Sequence, residues 1–393
     1  MLLMTQRDGT PDWLQTQKEH WKQAVRGRSR RDVLKGIGVA GMAGLAGCLG
    51  GGGGGGSDPT ASAAATETEG SMDSGDEATD TPTETSTPEP EISGSMTIFH
   101  AGSLAAAFSE AEPAFEEEYG VDVNREPKGS VASTQKITQQ GRRASVLGTS
   151  DFRLIRNRIV PDFGDWYCIF TTNSMSIQYR EDSPGADEIT KDNWWEVLSR
   201  DDVTIGHSDP AVDPGGYRAV MTQQLGAEEF EGSALYDQST YEKLRENSTV
   251  PTGTETKLKG QLESGALDYA FYYQSISSTA DMPFIDLQPQ VDLSQATSEY
   301  AEHYAKAEVE TSSGTFTGAP IAYGMTVPNV APNPEAGAAW IEYFGSDEGR
   351  SVLEELGLVP VDPIVVPKSG QDAVPDRVMN VASAKSNLGP LEL

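Results

Sequence analysis

From residue 96 onward the chain alternates short apolar runs with longer amphipathic ones. "MTIFHA" precedes a helical pattern over 104–119, "VDVNREP" one over 131–141, and "ASVLGTS" one over 152–158. Strand, turn and helix repeated in this order predict a parallel sheet, because a helical crossover returns the chain in the same direction. Two apolar runs, "WYCIFTTNSMSIQYR" at 166–180 and "APIAYGMTVP" at 319–328, exceed an ordinary strand. An outbound and a return segment of this kind are what a chain needs to cross twice between lobes. The expected division is lobe I over 96–173, lobe II over 174–324, and lobe I again over 325–393. Lobe II has its own signals: "NWWEVL" as a short helix, "VTIGHSDP" as a strand ending in a turn, "GYRAVMTQQLGAEEF" as a helix, "ETKLKGQLESG" as a helix stopped by Gly265, and "ALDYAFYY" as the strand after it. Two α/β lobes joined by two crossovers leave a cleft, the usual place for a ligand.

The periodicity fails upstream of 96. From Leu49 to Ser95 a glycine run gives way to Thr, Ser, Asp, Glu and Pro with almost nothing apolar to bury, the composition of a disordered tether. "SRRDVLK" at 29–35 and the weakly apolar "GIGVAGMAGLAGC" after it resemble a twin-arginine export signal, too short and glycine-rich for a membrane span. "LAGC" at 45–48 resembles a lipobox, which would make Cys48 the lipid-bearing first residue of the mature protein. Residues 1–47 are thus read as leader and 48–95 as lipid-anchored linker, the protein lying on the outer face of the cell membrane. An Arg-Arg pair and a small free cysteine in an ordinary helix are the plainer reading of the same residues.

Charge narrows the partners. Sixty acidic against 29 basic residues give a net charge of -31, a field that disfavours nucleic acid and anionic lipid and favours solubility where salt screens self-repulsion. A salt-loving source follows as an expectation. Two cysteines, Cys48 and Cys168, make no disulfide framework, and His20, His100, His207 and His303 have no zinc-like spacing. The 37% hydrophobic content still suffices for real cores.

Candidate chemistry gathers where strands end and helices begin. Ser103 in "HAGSL", Ser130 in "KGSVAS" and Ser150 in "GTSD" are hydroxyls at predicted helix N-termini, where free N–H groups and the positive dipole end suit an oxyanion. Serine is also simply a favoured N-cap. In lobe II, Asp213 opens "DPGGYR" and Glu255 opens the helix of "TGTETKLKGQLESG". Asp213 also reads as an Asx-turn or cap, Thr252 with Glu255 as a capping box, and Tyr273 in "FYYQS" as core.

Taken in order, "FHAGSL", "GSVASTQKITQQGRRASVLGTSDFRLI", "SDPAVDPGGYRAVMTQQL", "ETKLKGQLESGALDYAFYYQSIS" and "GAPIAYGMTVP" resemble the archaeal molybdate/tungstate-binding proteins of ABC importers over nearly all of 96–378. The resemblance implies an α/β, two-lobed periplasmic-binding-protein type II fold with a tetrahedral oxyanion in the cleft. It implies ligand contacts from Ser103, Ser130, Asp213, Glu255 and Tyr273, with Asp213 and Glu255 bonding to the Mo or W centre itself. It also implies an ABC permease and its ATPase as partners, no cofactor and no catalysis, and a tethered receptor needs no second copy of itself. Two carboxylates facing a dianion would repel it unless they bond to the central atom, which molybdenum(VI) and tungsten(VI) accept and sulfur and phosphorus do not. Relatives lead one to expect an aspartate near Ser145 and an alanine near Ser150; Ser145 is expected on the strand, and Ser150 either adds a donor or only caps the next helix.

Other readings of the same cleft are a binding protein for sulfate or phosphate, and a tethered sensor that hands its loaded lobes to a signalling receptor. An exported hydrolase using Ser103 or Ser130 would need a G-x-S-x-G elbow, which is missing, and a histidine partner, which none of the four histidines supplies readably.

Overall fold

The computed structural model describes residues 92–250 and 255–393, and the side chains of Glu255 and Thr256 are not among what it describes. The export leader, Cys48, the tether, Thr252 and the Glu255 carboxylate therefore lie outside the described residues.

The first strand, β1 (Gly94–His100), pairs in parallel with β2 (Val121–Pro127) and with β3 (Val146–Thr149). Helix α1 (Ala105–Tyr119) makes the crossover from β1 to β2 and ends on Gly120, whose left-handed backbone lets the chain turn straight back into the sheet. Helices α2 (Ser130–Thr138) and α3 (Phe152–Arg158) follow β2 and β3. Strands β4 (Cys168–Thr172) and β12 (Ala322–Thr326) join antiparallel, and β13 (Val359–Pro367) and β14 (Ala382–Lys385) complete a seven-stranded sheet in the order β14-β13-β4-β12-β3-β1-β2.

Side chains of β1 alternate between the two faces of that sheet. Met96 and Ile98 pack in one core with Phe108 and Phe115 of α1 and with Trp340 and Phe344 of α10 (Pro334–Gly345). Phe99 points the other way, into a core with Ile137, Phe152 and Ile155 from α2 and α3. Both faces are covered, which explains why the strands read as near-continuous apolar runs.

The second sheet has five strands, in the order β7 (Ser248–Thr249), β6 (Ile205–Gly206), β8 (Tyr269–Tyr273), β5 (Met175–Tyr179) and β9 (Phe284–Asp286). The long apolar run at 166–180 divides here: β4 ends at Thr172 in the first sheet and β5 (Met175–Tyr179) begins the second, so Asn173 and Ser174 carry the crossing. The return is earlier than the expected boundary at 324, since β12 lies wholly in the first sheet and the chain changes sheets between Thr317 and Ala322. Strand β6 is only Ile205–Gly206, shorter than "VTIGHSDP" predicts, because Gly206 packs against Leu258 and Leu267 and the next residues already turn toward the cleft. Strand β8 (Tyr269–Tyr273) is central and fully buried. Helix α5 (Pro214–Gly226) packs almost entirely inside this lobe, and the hairpin β10–β11 (Glu308–Thr311, Gly314–Thr317), not anticipated from the pattern, extends from it.

Candidate functional site

Because β1, β2 and β3 run parallel, their C-terminal ends share one edge of the seven-stranded sheet, and three helix starts lie side by side there. After β1 the chain makes a single 3-10 turn, Gly102–Leu104, before α1. Ser103 is buried in this turn, and its Oγ accepts from the Tyr323 hydroxyl at 2.9 Å. After β2, Ser130 is the first residue of α2 and is fully buried. Its Oγ accepts from the Ser150 backbone N–H at 3.0 Å and lies 3.1 Å from the Ser150 hydroxyl. Ser150 and Asp151 follow β3, and Asp151 caps α3 by accepting from the Arg153 N–H at 3.0 Å. Ser145 is one residue short of β3 instead of on it; it is buried with its N–H on the Thr97 carbonyl, at the sheet's other end.

The opposing face is built on α5. Asp213 is its N-cap, accepting from the Gly215 N–H at 3.1 Å, and is 2% exposed. Pro214 at the first helical position fixes the entry angle. One turn on, the Tyr217 hydroxyl donates across the cleft to Asp151 Oδ2 at 2.7 Å. Arg218, fully enclosed, donates from Nη1 to the Ser150 carbonyl and to the Tyr273 hydroxyl, each at 2.6 Å, and its Nη2 lies 3.6 Å from Asp151 Oδ2. Tyr273 ends β8, with its hydroxyl 3.4 Å from Ser150 Oγ and its ring edge-on to Tyr323.

The faces touch. A Cβ on Gly129 would lie 2.3 Å from the Val212 carbonyl oxygen and 2.9 Å from Asp213 Cβ, so only glycine allows this approach. The Ala132 N–H also donates to the Val212 carbonyl at 3.3 Å. Helix α7 (Glu255–Glu263) comes from the second lobe to lie against the Gly102–Leu104 turn. Of the residues singled out from sequence, Ser103, Ser130, Asp213 and Tyr273 are thus brought to one place, and the helix that Glu255 opens reaches the same turn.

Burial sets the charges. Desolvation pushes the Asp213 carboxyl up to about 6, against the Gly215 and Ser208 hydrogen bonds that favour its ionised form. Asp151 is equally buried, yet the Arg153 and Arg218 guanidinia and the Tyr217 hydroxyl outweigh desolvation and hold it well below the usual carboxylate range. Arg218 stays charged for the complementary reason. The arrangement offers several hydroxyl donors, helix N-termini, a buried cation and a poorly solvated carboxylate.

Asp151, Tyr217, Arg218, Tyr323 and Asn173 were not read as site residues from sequence. Tyr217 and Arg218 stand in "DPGGYR" and Asp151 in "GTSD", beside the residues that were chosen, but nothing local says that these segments meet.

Residues 96–359 match the model of a family described as bacterial extracellular solute-binding protein. Relatives include an uncharacterized solute-binding protein of Petrotoga mobilis, 39% identical over 70% of this chain and 86% of that protein. The molybdate/tungstate-binding protein WtpA of Pyrococcus abyssi is 34% identical over 66% of this chain and 83% of its own length. Among solved structures, the periplasmic molybdate-binding protein of Azotobacter vinelandii has a TM-score of 0.50 at 14% identity, covering 67% of this chain and 98% of that one. The sulfate-binding protein SubI of Mycobacterium tuberculosis has a TM-score of 0.50 at 16% identity, covering 72% and 92%. These likenesses define the fold as that of periplasmic binding proteins, two α/β lobes. The chain belongs to the bacterial extracellular solute-binding protein family. Membership places it outside the cytoplasm, among proteins that carry solutes instead of transforming them and that need no cofactor.

Proposed function

We propose that this protein is the binding component of an ABC importer that captures molybdate or tungstate between its lobes and delivers it to a permease driven by ATP hydrolysis elsewhere. The observation that carries the reading is the Asp213 carboxylate, enclosed at the cleft on a residue whose Cβ and preceding carbonyl lie close against Gly129 at the start of α2. A buried carboxylate repels a sulfate or phosphate dianion, and the repulsion is strong where water is excluded. It attracts a d0 metal centre that can add oxygen ligands, so Asp213, joined by Glu255 from the helix facing Ser103, would raise the coordination of Mo or W from four to six. Ser103, Ser130 and Tyr273 would hold the oxo groups. The relatives named as molybdate/tungstate-binding proteins support the same choice.

Shutting follows from ligand contacts on both lobes, which only the closed form collects together. Export through the twin-arginine signal and a lipid at Cys48, with the tether between, would keep the receptor beside its permease as a monomer. Calorimetric titration of the full chain with tungstate, molybdate and sulfate tests the reading: the first two bind tightly and sulfate weakly, and Glu255→Gln loses tungstate affinity while sulfate stays weak. Equal tungstate affinity in the variant, or sulfate binding as tight as tungstate, contradicts it.

A further inference from the structure

A serine hydroxyl can donate or accept, and an oxyanion needs it to donate. Which it does depends on what else its oxygen holds. At Ser103 that is decided two hydrogen bonds away, at Asn173. The Asn173 amide oxygen accepts the backbone N–H groups of Ser174 at 2.9 Å and Ser275 at 3.3 Å, and both are obligate donors. The orientation of the amide is thereby fixed, and its NH2 must face the other way. There it donates to the Tyr323 hydroxyl oxygen at 3.0 Å and to Ser275 Oγ at 2.8 Å. The Tyr323 hydroxyl, accepting that hydrogen bond, in turn donates to Ser103 Oγ at 2.9 Å. Asn173, Tyr323 and Ser103 are all buried, so no bulk water competes for these bonds.

We propose that Asn173 and Tyr323 are positioning residues for oxyanion capture: their relay occupies a lone pair of Ser103 and leaves the Ser103 proton to the ligand. The inference rests on the functional reading above and extends it from the residues that touch the anion to those that orient them. Ser130 is fed in the same sense by the Ser150 N–H, and the Tyr273 hydroxyl, which accepts from the Arg218 guanidinium, donates at 3.4 Å to Ser150 Oγ. Donor chains of this kind also polarise one another, which strengthens the last bond. Asn173 stands in the crossing between the sheets, and it bonds both to Tyr323 of the first sheet and to Ser275, just after Tyr273 of the second.

The test is a double-mutant cycle read by calorimetry with tungstate and molybdate on the full chain. Tyr323→Phe lowers the affinity about five- to tenfold in the wild-type background, the worth of one neutral hydrogen bond, because the Ser103 proton is no longer held toward the ligand. In a Ser103→Ala background the same change costs less than about twofold, because the relay has nothing left to orient. A merely structural tyrosine would cost the same in both backgrounds, and that result overturns the proposal, as does an unchanged affinity for Tyr323→Phe alone. Asn173→Ala in the same two backgrounds gives an independent cycle if Tyr323→Phe does not fold. Wild-type protein that binds neither anion overturns the functional reading and this inference with it; tight wild-type binding with an additive cycle overturns the relay alone.

Discussion

The two faces of the cleft begin alike and then diverge. In each, a histidine stands where a strand gives out, His100 as the last residue of β1 and His207 as the first after β6, and its Nδ1 lies against the next residue's carbonyl: His100 on Ala101 at 2.8 Å and His207 on Ser208 at 2.7 Å. Burial lowers both imidazoles to about 4, so both are neutral at pH 7. After His100 come Ala101, Gly102 and Ser103, small residues that lead straight into a helix start. After His207 the chain runs through Ser208 and Asp209 to Asp213, and its helix brings Tyr217 and Arg218 across to the other face. One lobe supplies donors held in a rigid sheet edge. The other supplies the Asp213 carboxylate, the Arg218 cation that faces Asp151 of the first, and the Tyr273 hydroxyl. A dianion met by donors alone would be held by charge and hydrogen bonding; on the function proposed above, the far face would add the demand that its central atom take a carboxylate oxygen.

Removing Arg218 breaks this division most severely. Arg218→Met takes away the donor to the Ser150 carbonyl and to Tyr273 and one of the cations facing Asp151, and the expected destabilisation in a urea titration is about 3–5 kcal/mol. Asp213→Asn acts in the other direction. The carboxyl is raised in the folded state to about 6, so its favourable contribution is complete below the ordinary carboxylate range and is lost as pH rises through that value. The amide escapes this, so the ligand-free variant gains about 2–3 kcal/mol over wild type at pH 7, little at pH 4, and binds no tungstate. Denaturation curves at the two pH values check the sign; a gain of equal size at both would place the cost elsewhere than in ionisation.

Gly129→Ala asks whether the faces must touch. The new methyl meets the Val212 carbonyl, so closure is blocked while each lobe keeps its fold. Anion affinity falls about tenfold, near 1.4 kcal/mol, and small-angle scattering with ligand shows a larger radius of gyration than wild type. The mildest change is Ser150→Ala, which removes one hydroxyl beside Ser130 but keeps the N–H that feeds it, for a loss under about 1 kcal/mol in binding. A large loss there would move Ser150 from support to direct contact with the anion.

Much of the fold was legible because its signals are local. Strand, turn and helix from β1 to α3 follow from apolar runs and periodicity over windows of a dozen residues, and the divided run at 166–180 marked the outbound crossing. The hairpin at 308–317 escaped, since its alternation is weak and its partner surface belongs to α3, with Arg153 on the Thr317 carbonyl and Arg158 on that of Ser313. In the site, Asp213 was read both as a helix cap and as a ligand residue. The cap is there, and it orients the carboxylate at the cleft, so the two readings are compatible. Asn173 stands inside the apolar run 166–180, where nothing local sets it apart.

By itself the sequence determined which segments become strands and helices and where hydroxyls and carboxylates open helices, because hydrophobic period, proline and glycine act within a few residues. Only the tertiary structure decided that Ser150, Arg218 and Tyr273, from three distant segments, share one cluster of hydrogen bonds, and which way each hydroxyl points. Polarity of that kind is set by whichever donor the fold packs beside an oxygen, and burial then holds the choice by excluding the water that would otherwise satisfy either one.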